Sequence, residues 1–297
     1  MNQKDCICII ILNQNKKDDL LDSINSINQQ VYKNFIIVVV DNGSIDGSAE
    51  AVKNKYPEVN LIENKINSGA AGGRNIGIKY AIKNLHFNFF LFLDNDVILE
   101  KYFLQEMIKS VNVDPNLNII TPKCYLMDYP GIIGYAGGMS INLFTGDIEN
   151  IGNGKRDEGQ FDQSKFVSSS GGLCLISRKV INEVGLFDER FNPYGWEDVD
   201  YSLRAKKKGF TIFYNHNAII YHKGGKKQRG KIAEVYESSK VKNYFYLIRK
   251  HANIFQLLLI SFILPFKLLF LIIKEIFHGE FRILYFQFRG LLSLLKK

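Results

Sequence analysis

Short apolar segments alternate with helix-like segments through the first hundred residues, and this alternation restricts the fold more than any other feature of the sequence. The strand candidates are Cys6–Leu12, Phe35–Asp41, Val59–Glu63 and Phe89–Leu93. The helix candidates between them are Asp18–Gln29, Gly47–Lys55 and Gly72–Asn84. Because the strands are almost continuously apolar, we predict an α/β fold whose mostly parallel central sheet is covered by helices on both faces. Ligands of such sheets bind beyond the carboxyl ends of the strands, so the residues that follow each strand are the candidates for a site.

The basic charge of the chain is concentrated at one end. The formal net charge is +8, and residues 240–297 alone contain ten Lys or Arg and two Glu, so the preceding residues are neutral. A nucleic-acid-binding protein more often spreads basic charge over its folded surface, and we expect no nucleic-acid partner. The length of 297 residues suits one large domain or two small ones. We predict a body over 1–230 and a basic, apolar helical tail over 231–297.

The four cysteines and the N-terminal segment bear on the compartment. No Cys-x-x-Cys pair occurs, so zinc and redox sites are disfavoured and we expect buried free thiols in a reducing cytoplasm. The first apolar run, Cys6–Leu12, is only seven residues long and no small-residue cleavage site follows it. We therefore interpret it as a buried strand rather than a signal peptide.

Polar residues follow the second and third predicted strands. The second strand ends in VVVDNGS, which places Asp41 at its tip before a turn. The third is followed by NSGAAGGRNIG, residues 67–77, whose glycines permit close backbone approach to a ligand and whose helix could offer its N-terminus to phosphate. Neither GxGxxG after the first strand nor GxxxxGK[ST] occurs, which disfavours a dinucleotide site and a P-loop.

The fourth predicted strand ends in FFLFLDND, residues 89–96. Asp94 and Asp96 at the exit of a buried strand could share one divalent cation and its waters. Such a cation could bridge a diphosphate and neutralise the charge that develops as the diphosphate leaves. An Asp-Asn-Asp sequence is also ordinary turn chemistry, so its position beside two other polar strand ends is what favours the metal site.

A second polar constellation lies over residues 184–210. Glu197, Asp198 and Asp200 open a predicted helix, where acidic residues commonly complement the helix dipole. Trp196 precedes them, and an aromatic-walled carboxylate suits a general base that takes a proton from a hydroxyl. Further along, His222 leaves a strand beside two glycines.

In this order, the VDNGS strand end, the NSGAAGGRNIG loop, the DND motif, the WEDVD segment and the strand-end His222 resemble the family 2 glycosyltransferases. The resemblance covers roughly residues 5 to 225 and looks most like bacterial enzymes of surface-polysaccharide synthesis, rhamnosyltransferase-like members among them. It implies a GT-A fold, with a nucleotide-sugar-binding half over 1–100 and an acceptor-binding half over 101–230.

The resemblance also implies the partners of individual residues. The donor would be a UDP- or dTDP-sugar, and Asp41 would hydrogen-bond the imide N–H of its base. Other residues implied to contact the donor are Asn13, Asn67, Gly69, Arg74, Asn75, Asp94 and Asn95. The implied ligands of Mg²⁺ or Mn²⁺ are Asp94, Asp96 and His222.

On the acceptor side, the resemblance implies that Asp198 is the catalytic base of an inverting transfer. Glu197 and Trp196 would shape the acceptor site beside it. Gly171 and Gly172 would let the acceptor approach closely.

The tail contains a 20-residue apolar stretch over residues 254–273 that is long enough to span a bilayer. Pro265 is expected to break it, and basic residues on both sides favour a cytoplasmic location for both ends. We predict a monotopic or re-entrant hairpin on the inner face of the cell membrane, followed by an interfacial helix that carries Phe281, Leu284, Tyr285, Phe288, Leu291, Leu292 and Leu295. A packed helical subdomain or a homo-oligomer interface is the alternative. A membrane-bound tail suits a glycan acceptor that is linked to a polyprenyl diphosphate.

Two other functions stay open from sequence. A nucleotidyltransferase on a similar sheet would more often carry a glycine-rich, basic loop after the first strand, where this chain has Leu12 to Asn15. A sugar-nucleotide-binding protein without catalysis is the second, and the presence of Asp96, Asp198 and His222 argues against it.

Overall fold

The structure is a computed structural model, and it describes residues 5–114, 116–223 and 230–277 together with positions 285 and 290. The strands are β1 (Ile7–Asn13), β2 (Phe35–Asn42), β3 (Asn60–Asn64), β4 (Phe89–Asp94), β5 (Val97–Leu99), β6 (Ile119–Leu126), β7 (Ile133–Ala136), β8 (Met139–Asn142), β9 (Asp147–Asn150), β10 (Lys165–Phe166), β11 (Cys174–Ser177) and β12 (Ile212–His222). The helices are α1 (Lys17–Asn28), α2 (Ser48–Lys55), α3 (Gly69–Asn84), α4 (Phe103–Val113), α5 (Arg178–Val184), α6 (Glu197–Lys207), α7 (Gly230–His251) and α8 (Ile254–Phe277).

The first four strands form the parallel part of the sheet, in the order β3-β2-β1-β4. Their bounds and those of the three intervening helices lie within about three residues of the predicted ones. The remaining order is β4-β11-β6-β12-β10, where β11 runs antiparallel to both neighbours and β12 runs parallel to β6. The sheet is therefore mixed, with most residue pairs in parallel ladders, and the predicted α/β class with helices on both faces is confirmed.

Alternation along the central strands divides the core into two layers. Ile9 and Ile11 face one side with helices α1 and α4, whereas Ile10 faces the other side with α3, α5 and α6. Both layers are fully buried from Ile7 to Ile11 of β1, which explains why this strand is apolar up to Leu12 and why no period of two appears in its sequence. The predicted free thiols are also found, with Cys8, Cys124 and Cys174 buried and Cys6 partly buried.

Two glycines of the NSGAAGGRNIG segment let α3 lie directly on β1. A Cβ on Gly77 would come 2.8 Å from the side chain of Ile10, and one on Gly73 would strike the side chain of Leu12. The segment was predicted to use its glycines for approach to a ligand. In the structure these two serve the packing of helix on strand, because only glycine leaves room for the strand's side chains.

The C-terminal helices pack differently from the predicted tail. The expectation that Pro265 breaks the apolar stretch is wrong, since α8 is continuous and Pro265 lies inside it. Pro265 is exposed, so water can bond the carbonyl that proline leaves without an N–H donor. One helix therefore takes the place of the hairpin predicted for residues 254–273. Most of the predicted interfacial helix, from Phe281 onward, lies outside the described residues.

Helix α8 rests on the β8–β9 ribbon and leaves a broad apolar face exposed. Lys267 donates to the carbonyl of Thr145 at 2.8 Å and pairs with Asp147. The large apolar side chains more than half exposed on α8 are Ile254, Phe255, Leu258, Phe262, Phe266, Leu269 and Phe270. Among the residues described, no helix combines the length and the apolarity needed to cross a membrane.

Candidate active site at the strand ends

The carboxyl ends of β1, β2 and β4 are joined by a buried polar chain. Asn13 donates to Asp41 at 3.0 Å, and Asn95 donates to the side-chain oxygen of Asn13 at 2.7 Å. Ser44, in the turn after β2, donates to Asp41 at 2.5 Å. The parallel register brings these ends together, since Asn13 lies opposite Asp41. The structure thus unites three of the residues predicted to contact a donor, and the carboxylate of Asp41 keeps free lone pairs for a further donor.

The segment after β3 is fixed by its own side chains. The side-chain oxygen of Asn67 accepts from Asn42 and from the N–H of Gly69, both at 2.8 Å. The next N–H of α3, that of Ala70, donates to the carbonyl of Pro193 at 3.1 Å. Two N–H groups of this helix end therefore have protein partners, and the predicted phosphate contact would depend on the other N–H groups of the first turn.

Asp94, Asp96 and His222 form one cluster, with one potential ligand atom from each within 4.8 Å of the others. Nε2 of His222 lies 3.3 Å from a carboxylate oxygen of Asp96. The sheet produces this arrangement because β5 pairs antiparallel with β12, which places His222 opposite Val97, directly after the DND turn. Lys16 approaches the other carboxylate oxygen of Asp96 to 2.5 Å.

The donor set of this cluster fits Mg²⁺ or Mn²⁺. Two carboxylates and one imidazole supply hard oxygen ligands and the nitrogen that Mn²⁺ also accepts. The carboxylate of Asp94 is partly exposed, with 41% of its side-chain surface accessible, so it can also reach a ligand or water. The ammonium group of Lys16 places a positive charge at the carboxylate of Asp96, and a metal ion would compete with it for that carboxylate.

Arg74 joins the two halves of the site. Its Nη1 donates to Glu197 at 2.9 Å, and its Nη2 lies 3.4 Å from Asp94. Burial favours loss of its charge, but the negative charges of Glu197, Asp94 and Asp198 outweigh burial and raise the pKa of Arg74. A permanent cation is therefore held between the strand-end carboxylates and the opening of α6.

Asn75 does not face the site. Its amide donates to the carbonyl of Phe187 at 2.9 Å and to Glu189 at 2.8 Å, and its oxygen accepts from the N–H of Phe187 at 2.9 Å. Only 1% of Asn75 is exposed. The resemblance implied a contact with the donor, whereas the geometry makes Asn75 a brace between α3 and the loop that leads to α6.

The chain enters α6 through a strained turn. Gly195 has φ +101° and Trp196, which carries a side chain, has φ +72°. Left-handed backbone at such a residue costs about 1–3 kcal/mol and persists where the surroundings fix it. Glu197 helps to stabilise this turn. Its Oε2 accepts from the N–H of Gly195 at 3.0 Å, while its Oε1 accepts from Arg74.

Asp198 differs from Glu197 in that only one of its carboxylate oxygens has a hydrogen bond among the described residues. One oxygen accepts from the N–H of Val199 at 2.8 Å. Burial and the neighbouring charge of Glu197 raise the pKa of Asp198 to about 6, against the opposing effect of Arg74. A carboxylate with this pKa is largely ionised at neutral pH and binds a proton more strongly than an ordinary aspartate, which is what a general base requires.

Gly171 and Gly172 lie opposite Asp198. A Cβ on Gly172 would come 2.9 Å from Nη2 of Arg74 and 3.9 Å from a carboxylate oxygen of Asp198. Gly171 has φ +67°. Any side chain at Gly172 would therefore fill the space between the cation and the candidate base.

Sequence reasoning missed several residues of this region. Lys16 at Asp96 gave no sequence signal, because a lysine directly before a helix is ordinary in sequence. The phenol of Tyr135 is buried, has no hydrogen-bond partner within the described part of the chain, and feels the charges of Asp94 and Asp198. The polar face of α7 that holds the loop before Trp196 was also missed.

The sequence profile of glycosyl transferase family 2 matches residues 6–185. This match covers more than half of the chain, and it includes the strand ends, the DND turn and the two glycines. The chain belongs to glycosyl transferase family 2, as the motifs predict.

The curated relatives carry related descriptions at low identity. An uncharacterised glycosyltransferase, YfnE of Bacillus subtilis, is 25% identical over 72% of this chain and 64% of its own length. The low-salt glycan biosynthesis hexosyltransferase Agl10 of Haloferax volcanii is 26% identical over 70% of this chain and 64% of its own. The poly-β-1,6-N-acetyl-D-glucosamine synthase of Staphylococcus aureus is 23% identical over 72% of this chain and 49% of its own. The chain thus spans less than two thirds of the length of these relatives.

Two solved structures share the fold. GalNAc-T7, crystallised with UDP, GalNAc and Mn²⁺, superposes with a TM-score of 0.62 over 84% of this chain and 48% of its own, at 15% identity. TarS of S. aureus superposes with a TM-score of 0.56 over 87% of this chain and 42% of its own, at 16% identity. These similarities identify the GT-A fold.

Proposed function

We propose that the chain is an inverting, metal-dependent transferase that moves a sugar from a UDP- or dTDP-sugar to a hydroxyl of a glycan. The proposal rests on the observation that two acidic groups lie on opposite sides of the guanidinium of Arg74. The Asp94–Asp96–His222 cluster lies on one side of the guanidinium, and Asp198 lies beside Glu197 on the other. A diphosphate on the first side and an acceptor hydroxyl on the second would meet between them.

The nucleobase of the donor would lie over the hydrogen-bonded side chains of Asn13, Asp41 and Asn95. Asp41 is 4% exposed and is oriented by Asn13 and Ser44, so its position is set before a ligand arrives. A carboxylate accepts from the imide N–H that uracil and thymine share, which is why either nucleotide suits this site. The amide of Asn67 and the backbone of Gly69 lie next to this edge and would adjoin the ribose.

The chain's own residues supply the proton transfer. Asp198 takes the proton of the acceptor hydroxyl, whose oxygen forms a bond to the anomeric carbon as the bond from that carbon to the diphosphate oxygen breaks. The electron pair of the broken bond leaves with the nucleoside diphosphate. Attack from the face opposite the leaving group inverts the anomeric configuration.

The remaining groups hold these reactants in place. Asp94, Asp96 and His222 would hold Mg²⁺ or Mn²⁺, which when bound neutralises charge on the leaving diphosphate. Arg74 forms its ion pairs with Glu197 and Asp94. Asp198 is left as the neighbouring carboxylate that Arg74 does not bond directly. Gly172 keeps the space before Asp198 open to a sugar hydroxyl, and Trp196 would shape the acceptor site through the turn that it begins.

The acceptor is proposed to be a lipid-linked glycan at the cytoplasmic face of a membrane. Two observations support this: the apolar face of α8 is exposed, and residues 240–297 carry the whole net charge of +8. Apolar side chains with adjacent basic residues bind anionic bilayer surfaces. A packing interface between copies of the chain would use the same face and stays the alternative.

A donor panel tests the proposal. Purified protein is incubated with UDP- and dTDP-sugars, with Mn²⁺, with Mg²⁺ or with excess EDTA, and released nucleotide is measured. The proposal predicts release from at least one donor that depends on metal. Absence of release from every donor with either metal, in a preparation that still binds UDP, would contradict it and favour a binding protein.

A further inference from the structure

The helix α7 contacts the loop before the candidate base through a buried side chain that bonds main-chain atoms. The amide nitrogen of Asn243 donates to the carbonyls of Phe191 at 2.5 Å and Tyr194 at 2.8 Å, with that of Gly195 at 3.4 Å. Asn243 is 1% exposed. One buried amide therefore fixes three carbonyls of the segment that leads into Trp196.

The same helix reaches the first turn of α6 from the other side. His251 lies 2.7 Å from Asp200, and Lys250 lies 2.6 Å from the same carboxylate oxygen. Lys250 also bonds Asp188 at 2.7 Å. Asp200 is fully buried and follows Asp198 by two residues, so these contacts pin the helical turn that carries Asp198.

A third contact fixes the aromatic residue between these two regions. The indole N–H of Trp196 donates to the carbonyl of Lys240 at 2.8 Å, and Tyr236 donates to the hydroxyl of Tyr194 at 2.8 Å. The left-handed backbone at Trp196 is disfavoured locally, and these bonds from α7 stabilise it together with the bond between Glu197 and the N–H of Gly195.

We propose that α7 is the positioning element of the active site and that Asn243 is its main positioning residue, which holds the turn before α6 so that Asp198 faces the acceptor. The inference rests on the proposed function, because it explains the orientation of Asp198 by its role in sugar transfer. Apolar packing of Phe191, Val199 and Leu247 would attach α7 to the body without any of these bonds. The polar contacts add orientation, since hydrogen bonds to carbonyls fix direction where apolar contacts do not.

The substitution Asn243→Leu keeps the number and branching of the side-chain heavy atoms and removes the three donations. The matched control is Ile248→Ala, which removes buried volume from the same helix without touching the loop's carbonyls. Release of UDP or dTDP from the best donor of the panel is measured with water as acceptor, together with the Kd for the nucleotide and the Tm. We expect Asn243→Leu to lower kcat at least tenfold with donor KM and nucleotide Kd within twofold of wild type. Ile248→Ala should lower Tm and leave kcat near wild type.

Trp196 provides a readout that does not need turnover, because it is the one tryptophan of the chain. Asn243→Leu should shift its emission and increase its quenching by acrylamide, whereas Ile248→Ala should change neither. His251→Gln keeps an N–H donor near the position of Nε2 and should retain most of the wild-type kcat. His251→Leu removes that donor and should lose most of the wild-type kcat.

The outcomes separate the two proposals. If wild-type protein releases nucleotide from no donor, the proposed function fails and this inference fails with it. If wild-type protein is active and Asn243→Leu keeps its kcat, only the positioning role is overturned. A kcat that falls in Asn243→Leu no further than in an Ile248→Ala variant of equal Tm would also overturn it, because the effect would then be general loss of structure.

Discussion

Arg74 and Glu197 are separated by 123 residues in sequence and joined by a hydrogen-bonded ion pair of 2.9 Å. Both side chains are 7% exposed. The pair connects the start of α3, in the half that carries the strand ends, to the turn that carries Asp198. A buried pair of this kind is costly to break from one side, because the partner is left as an uncompensated charge.

Replacing Arg74 should therefore destabilise the protein as well as stop transfer. We expect Arg74→Met to lower the free energy of unfolding by about 3–5 kcal/mol, since Glu197 and Asp94 lose their cation. Urea titration followed by circular dichroism measures the change. Arg156→Met, on the exposed surface, is the control and should change stability by less than about 0.5 kcal/mol. Equal, small effects of the two substitutions would show that the pair has no structural role.

Two aspartates of one helical turn should respond oppositely to the same substitution. Burial and Glu197 raise the pKa of Asp198 to about 6, so ionising it costs stability as pH rises from about 4 to 6. Burial also acts to raise the pKa of Asp200, but bonds from His251, Lys250 and Arg204 outweigh it and lower that pKa. The stability from Asp200 is thus present above its unfolded pKa near 4 and is lost as pH falls through the folded value.

At pH 7.5, Asp198→Asn should raise Tm and Asp200→Asn should lower it. The first substitution removes a carboxylate that is destabilising when ionised, and the second removes a carboxylate that its neighbours stabilise. Calorimetric scans at pH 7.5 and pH 4 test both signs, because the gain from Asp198→Asn should disappear at the lower pH. A loss of Tm in both variants at pH 7.5 would contradict the charge distribution described for this turn.

Loss of metal ligands should lower activity without loss of fold. Asp96→Asn and His222→Gln should each reduce nucleotide release at saturating Mn²⁺ by at least about tenfold, because losing even a residue that supports a metal ligand costs about that much. They should also weaken Mn²⁺ binding, which electron paramagnetic resonance measures without turnover. Asp128→Asn, at an exposed turn, serves as the control and should bind Mn²⁺ like wild type. Unchanged Mn²⁺ affinity in both ligand variants would place the metal elsewhere.

The exposed face of α8 should determine membrane binding. Phe262→Glu and Phe270→Glu introduce charge where side chains are 72% and 71% exposed, and should abolish flotation with vesicles that contain anionic lipid. Ile45→Glu changes a side chain that is 93% exposed on the body and should leave flotation intact. If the α8 variants float like wild type but change the oligomeric mass in light scattering, the face is an interface between copies instead.

The strand ends could be predicted because they depend on local patterns. Continuous apolar runs place β1, β2 and β4 in a covered parallel sheet, and Asp41 and Asp94 then lie at one edge by geometry alone. His222 was linked to Asp96 through the resemblance only. Its physical reason is the antiparallel pairing of β5 with β12, which no periodicity encodes.

The contacts of Asn75, Lys16 and Asn243 could not be predicted for a related reason. Each joins segments far apart in sequence, for example the 52 residues between Asn243 and Phe191, and each depends on the path of a loop. An asparagine that bonds main-chain atoms looks the same in sequence as one that bonds a ligand. The unbroken helix through Pro265 depends likewise on exposure, which the apolar pattern of that segment does not reveal.

The central claim, that Asp198 is the base of a glycosyl transfer, is tested most directly by Asp198→Asn measured against the best donor with Mn²⁺ present. We expect nucleotide release to fall by about 10²- to 10⁴-fold, the usual contribution of a general base, while the Kd for UDP or dTDP is unchanged. Wild-type rates of release in Asp198→Asn would contradict it.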